Sequence, residues 1–359
     1  MTSDQALAER VGVVAIGRNE GERLRRCLNS LLTQGLPVVY VDSNSTDGSS
    51  ELARGLGVHV VDLDLSRVFT AARARNEGFE ALLGLHPDLE FVFFVDGDCE
   101  VIETFIAAAV ACMDNRRDLA IVCGRRMERY PEATLYNHLA DMEWNTPLGE
   151  ADACGGDALM RTNVFKEEHG YDASLISGEE PELCLRIRRR GFRILRADLE
   201  MTIHDAAMTR FGQWWNRALR TGHAAFERLA MHGLKENPVH YKRARSAVFW
   251  TLGLPIVTAT LALVQPFGIP ALAFAALLPL AYAVLAFRIF RYRSFRGDSD
   301  SASLIYSLFC VLAKLPEVVG MWNCAIGRWR GVDAEWIEYK DVAPIGGEPG
   351  TSESIRRSA

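Results

Sequence analysis

The sequence carries no surplus of positive charge. Its 40 lysines and arginines face 46 aspartates and glutamates, a formal net charge of −6. A nucleic-acid binder needs a basic face to neutralise phosphates, so no nucleic-acid partner is expected. Cysteine occurs at 27, 99, 112, 123, 154, 184, 310 and 324, nowhere as CxxC or at Cys/His metal spacing. Such scattered thiols fit small reduced core residues in a cytosolic compartment. The opening Met1-Thr2-Ser3-Asp4-Gln5 has neither a basic nor an apolar leader region, so no cleaved signal peptide is expected.

A local absence of charge is more informative. Ala247 to Val264 and Gly268 to Phe287 contain no charged residue. A helix of about 20 residues spans the ~30 Å core of a bilayer. Two such runs in succession predict a transmembrane pair in preference to a buried hairpin. Lys242, Arg243 and Arg245 precede the first run, and Arg288, Arg291, Arg293 and Arg296 follow the second. Basic flanks stay in the cytoplasm, so the pair crosses and returns, leaving the N-terminal domain on the cytoplasmic face of the inner (plasma) membrane. A third apolar stretch, Leu304 to Ile326, is broken by Lys314, Pro316 and Glu317. It either spans, with Lys314 and Glu317 paired, or lies re-entrant at the interface. Beyond Pro344 the composition predicts disorder.

The region before these runs alternates short apolar segments with amphipathic ones. Val11–Ile16, Pro37–Val41, Val58–Val61 and Phe91–Val95 read as strands. Helices are expected near 22–34, 49–55 and 70–83. This pattern predicts an α/β fold with a doubly wound, mostly parallel sheet, whose ligands bind beyond the carboxyl ends of the strands. Asp42, with Asp47 after it, and Asp96 all follow such ends. Asp96-Gly97-Asp98 is a DxD turn, and a lone DxD is weak because turns favour Asp and Gly. Several carboxylates at one edge repel unless a cation neutralises them, and Mg²⁺ or Mn²⁺ shared with substrate phosphates would do so. Arg75 and Asn76 add a cation and an amide near that edge. Gly155-Gly156-Asp157 is a glycine turn, and Glu179-Glu180 stand at a helix start, where capping alone explains acids.

Together these segments resemble the family 2 glycosyltransferases, inverting enzymes of the GT-A fold, over about residues 11–205. Asn19-Glu20, the Asp42–Ser49 loop, Ala74-Arg75-Asn76, the Asp-Gly-Asp, the Gly-Gly-Asp and Gly178-Glu179-Glu180-Pro181 keep the family's order. The resemblance implies a nucleotide-sugar donor, a UDP-sugar first, contacted by Asn19, Glu20, Asp42, Asp47, Arg75, Asn76 and Asp96. It implies a metal on Asp98, Asp96 and His204. Glu180 becomes the catalytic base, where the family usually has Asp, with Glu179 as its rival. Gly155, Gly156, Asp157, Trp214 and Trp215 would meet the acceptor. The last two fall where the chain departs from the Gln-x-x-Arg-Trp pattern of processive synthases, which favours single addition. The expected organisation is a transferase domain over 1–210, an interfacial helical segment over 211–246, a membrane region over 247–330 and a tail over 331–359. The expected reaction is transfer of one sugar to a membrane-associated, lipid-linked saccharide in envelope or exopolysaccharide synthesis. The alternatives are a polyprenyl-phosphate acceptor and a non-catalytic nucleotide-sugar-binding membrane scaffold.

Overall fold

A computed structural model describes residues 7–331 apart from 65, 234–237 and 267–269. The expected tail beyond 331 and part of the connector between the two apolar runs lie outside the described residues.

Strands β1 (Val11–Gly17), β2 (Val38–Asp42), β3 (His59–Asp62) and β4 (Phe91–Asp96) pair in parallel in the order β3-β2-β1-β4. Their near-continuous apolar runs suit strands covered on both faces. The register places Gly17 level with Asp42 and Ile16 level with Asp96, so both acids leave the sheet at one edge. Helices α1 (Glu22–Leu32), α2 (Ser49–Gly55) and α3 (Ala71–Leu85) connect these strands. On α1, Leu24, Cys27, Leu28 and Leu31 are buried at helical spacing. Thr70 caps α3 by accepting from the Arg73 amide.

The other half of the sheet is mixed, where a mostly parallel one was expected. Strand β5 (Cys99–Val101) comes after β4 with only Gly97 and Asp98 between them. So short a link cannot cross over the sheet, and β5 turns away to pair antiparallel with β9 (Arg193–His204). Strand β6 (Leu119–Glu128) runs parallel to β9, β7 (Gly149–Glu150) pairs with β9, and β8 (Ala158–Arg161) lies antiparallel between β4 and β6. Helices α4 (Phe105–Asn115), α5 (Leu135–Trp144), α6 (Thr162–Glu167) and α7 (Glu179–Arg189) complete the domain. Phe79, Phe94, Phe165 and Tyr171 form an aromatic cluster with centroids 4.6–6.4 Å apart, and Arg75 lies 5.6 Å over the Tyr171 ring. The six arginines between 186 and 196 are largely absorbed by salt bridges, among them Arg186–Glu182, Arg190–Glu168 and Arg193–Asp118.

Helix α8 (Phe211–His232) leads out of the domain. Next come α9 (Pro238–Val248), a π-helical turn (Phe249–Gly253) and α10 (Leu254–Val264). They form one apolar helical stretch, Tyr241–Val264, so the boundary expected at 246 falls inside an element. Pro255 has no N–H for the preceding turn, and the Tyr282 hydroxyl donates to the Trp250 carbonyl there (2.5 Å). Tyr282 belongs to α11 (Ala271–Phe295), after which come α12 (Asp300–Leu312) and α13 (Lys314–Arg330). Among the described residues, three helical stretches are long and apolar enough to cross a membrane: Tyr241–Val264, Ala271–Phe295 and Asp300–Arg330.

The first two are largely bare, with Leu263 84% and Leu272 80% exposed at their far ends. At the near end, Arg296 after α11 donates to the Thr146 carbonyl of the N-terminal domain (3.3 Å). The pair therefore leaves the domain and comes back to it. The α12–α13 stretch behaves differently, with one face on the domain. Phe309 packs against Trp214 and Tyr136, and α13 crosses α8 through Gly222 and Gly320. A Cβ on Gly320 would stand 2.0 Å from the Leu219 carbonyl, and one on Gly222 1.9 Å from that of Glu317. Only glycine lets the two backbones approach this closely.

Candidate active site

The site is built around two guanidinium groups, one buried and one part-buried. Arg75 is 2% exposed on the inner face of α3, so the cation expected near that edge is buried. It donates to Asp96 Oδ1 (2.8 Å) and Glu179 Oε1 (2.8 Å), and Glu180 lies 3.6 Å away. Arg126, from the end of β6, reaches Asp96 Oδ2 (3.1 Å) and Asp157 (2.7 Å). Burial works against the charge on Arg75, but Asp96, Glu180 and Glu179 outweigh it and keep the group a firm cation.

Four carboxylates thus share two arginines. The surplus negative charge falls on Glu180, whose pKa is pushed up to about 7, first by burial and then by the charge of Glu179, with Arg75 pulling the other way. Its side chain is 17% exposed against 6% for Glu179. Of the rival pair, then, Glu179 anchors Arg75, and Glu180 is the more accessible carboxylate and is poised near neutrality.

The Asp-Gly-Asp turn divides its acids between two neighbourhoods. Both Asp96 oxygens accept from guanidinium groups, those of Arg75 and Arg126. Repulsion at this edge is relieved by arginine here. Asp98 Oδ2 instead faces His204 Nε2 at 3.2 Å, both buried. Burial pushes the His204 pKa down, which favours the neutral imidazole. Its Nδ1 points at Glu128, 3.7 Å away, and the edge of Trp144 packs on the ring (4.7 Å). One carboxylate oxygen and one neutral imidazole nitrogen, steered from behind by a second carboxylate, form a donor set that fits a divalent transition metal. Cys99 lies beside them, its Sγ 3.5 Å from Asp98 Oδ1, and with Asp98 and His204 it makes a group of three that could hold an ion.

The loops after β1 and β2 carry residues that were expected to contact the donor. Asp42 is 3% exposed, accepts from the Ser45 amide (2.8 Å) and lies 3.4 Å from the Tyr40 hydroxyl. Asn19, at φ 55°, accepts from the Thr46 amide (2.7 Å) while its own amide donates to Ser45 Oγ (2.9 Å). It staples the two loops together. Asp47 accepts from the Ser49 amide at the start of α2, and Glu20 pairs with Arg23. Asn76 departs from expectation. Its amide exchanges two hydrogen bonds with the Tyr171 backbone (2.7 and 2.9 Å), a structural duty that turns it away from a donor.

Asp157 departs further. It is fully buried and held by Arg126, Thr202 Oγ1 (2.7 Å) and the Asp96 amide (3.1 Å), so it does not face an acceptor. Gly155 is open on its Cβ side, and Gly156 presses on Arg75 and Asp96, where a Cβ would stand 2.6 and 2.9 Å away. Trp214 packs on Phe309 (4.9 Å) and Trp215 on Phe211 (5.8 Å), away from the acids. Sequence reasoning missed Arg126, Glu128 and Arg228. The first two end the apolar run of β6, and that break was the available signal. Arg228, buried on α8, donates to the Gly178 carbonyl (3.3 Å) beneath the two glutamates. Gly178 has φ 82°, and any Cβ there would strike the Arg228 guanidinium.

A four-stranded parallel half-sheet, a mixed half and an acidic turn between them define a GT-A transferase fold. A sequence model described as glycosyl transferase family 2 matches residues 13–167, and the chain carries a domain of that family. It is 24% identical over 225 residues to the glycosyltransferase AglE of Haloferax volcanii, covering 59% of this chain and 71% of that protein. It is 22% identical over 281 residues to the succinoglycan biosynthesis protein ExoA of Rhizobium meliloti, covering 71% and 84%. Among solved structures, a mannosyltransferase from Pyrobaculum calidifontis in complex with GDP-Man and Mn²⁺ superposes with a TM-score of 0.56 at 18% identity, covering 88% of this chain and 87% of that one.

Proposed function

We propose that this protein transfers one sugar, with inversion, from a nucleotide-sugar to an acceptor held at the cytoplasmic face of the inner membrane, in the synthesis of a cell-envelope or secreted polysaccharide. The observation that carries this reading is Glu180, a carboxylate raised to about 7, standing one guanidinium from Asp96. A base poised near neutral pH can take the proton of an attacking hydroxyl. Glu179 fixes Arg75, and Arg75 holds Asp96 at the donor edge. Asp98 and His204 would hold the divalent metal, which when bound offsets charge developing on the diphosphate leaving group. The imidazole favours Mn²⁺ over Mg²⁺.

The relatives' names support the pathway class, one being a glycosyltransferase and the other a succinoglycan biosynthesis protein. The GDP-Man in the Pyrobaculum structure makes GDP-sugars as deserving of trial as UDP-sugars. The α12–α13 stretch, with one face on the domain and Leu304, Leu308, Leu315 and Trp322 exposed on the other, reads as interfacial, and only the first two stretches cross. A scaffold without catalysis has no use for a raised, accessible carboxylate beside the donor edge.

The test is Glu180→Gln in the full-length protein, with a panel of nucleotide-sugars. Donor binding should persist while turnover falls at least about a hundredfold. Wild-type turnover in this variant would remove Glu180 as the base.

A further inference from the structure

A cleft outside the acidic site lies where the N-terminal domain meets the apolar helices. It holds about 130 Å³ between α5 and α8 on one side and α9, α12 and α13 on the other. Three cations line it: Arg217, Arg243 and Lys314. They face two acids, Glu143 and Glu317. Glu317 is buried between Arg243 (3.1 Å) and Lys314 (3.0 Å), and Arg217 pairs with the half-exposed Glu143 (3.0 Å). One positive charge is therefore left over, in a cleft floored by Trp214, Tyr306 and Phe309. A surplus of cations in such a cleft favours phosphate.

Two further observations say what kind of phosphate. Lys314 and Glu317 interrupt an apolar stretch that lies along the membrane interface, the depth at which a lipid's phosphate sits. Leu312 and Leu315, on either side of the cleft-lining Ala313 and Lys314, are exposed, so a ligand in the cleft has apolar surface beside it for a hydrocarbon chain. The cleft also connects with the acidic site: the Arg217 guanidinium stacks 5.5 Å over Trp144, whose edge packs on His204. Along α8, Arg217 and Arg228 are eleven residues apart, ~16 Å at the helical rise, and Arg228 is the residue bound beneath Glu179 and Glu180.

We infer that this cleft binds the phosphate of a lipid-linked acceptor, resting on the transferase reading above. A phosphate at Arg217 is too far from Glu180 to be the nucleophile. It serves as a handle, and a glycosyl unit attached to it spans the distance and presents its hydroxyl to the base. The acceptor class is then a lipid-phosphate-linked saccharide, and a bare lipid phosphate binds without accepting sugar.

The experiment titrates the full-length protein in detergent with farnesyl diphosphate, inorganic pyrophosphate and dioleoyl phosphatidylglycerol. Wild type, Arg217→Gln and Lys314→Gln are compared by thermal shift, and a nucleotide-sugar panel is run on each. Farnesyl diphosphate should bind wild type best, and each variant should lose about tenfold in affinity or more while donor binding is kept. Farnesyl phosphate supplied with the donor should not be glycosylated. Wild-type affinity for farnesyl diphosphate in both variants would overturn the assignment, as would equal binding of pyrophosphate or phosphatidylglycerol, or sugar transfer onto farnesyl phosphate. A wild-type protein that no nucleotide-sugar stabilises would instead overturn the transferase reading, and the acceptor role with it.

Discussion

Arg75 shows how one side chain organises this site. Losing a partner leaves a buried charge uncompensated, which typically costs about 3–5 kcal/mol, so Asp96, Glu179 and Arg75 hold one another in place. Glu180 remains with a pKa of about 7. A base works only when ionised, so below pH 7 kcat/KM should fall about tenfold per pH unit and above it level off. Glu179→Gln removes a charge that raises this pKa, and the ascending limb should move to lower pH. A pH–rate profile checks both points, and an unmoved limb would detach it from Glu180. Asp98→Asn should abolish Mn²⁺-dependent binding of a nucleoside diphosphate in calorimetry. Unchanged metal dependence would remove Asp98 as a ligand.

At the scale of elements, α8 is the part that couples the two halves of the molecule. Its Arg228 supports the turn before the glutamates, and its Gly222 meets Gly320 of α13 with backbone against backbone. A side chain at 320 must push the helices apart, since its neighbour is the rigid Leu219 carbonyl. Gly320→Leu should therefore cost about 1–3 kcal/mol, as overpacking does, and lower the thermal midpoint in detergent. A variant as stable as wild type would mean the crossing is looser than the structure shows. Much of this level was legible beforehand. The spacing of Leu24, Cys27, Leu28 and Leu31 marked α1, and Thr70 marked the start of α3. The antiparallel insertion of β8 was not legible, because strand order depends on chain separations that no local pattern encodes.

For the whole molecule, the exposed apolar surface of Tyr241–Val264 and Ala271–Phe295 is far more than water tolerates. The protein should stay with membranes after an alkaline carbonate wash, and recovery in the supernatant would contradict the two spans. The Arg296 contact with Thr146 brings the end of the Ala271–Phe295 helix back to the N-terminal domain.

Composition and periodicity alone determined the parallel half-sheet, the acidic edge and the two membrane runs. Each rests on neighbours in the chain: apolar runs, helical spacing, and Asp42 and Asp96 at strand ends. The tertiary structure decided which acid does what. Asp96 and Asp98 are two residues apart, yet one faces arginines drawn from α3 and β6, and the other faces a histidine at the end of β9. Asp157 likewise looked exposed in a glycine turn but is enclosed by Arg126 and Thr202. A carboxylate's role depends on the groups within a few ångströms of it, and here those groups come from residues 21 to 106 positions away in sequence.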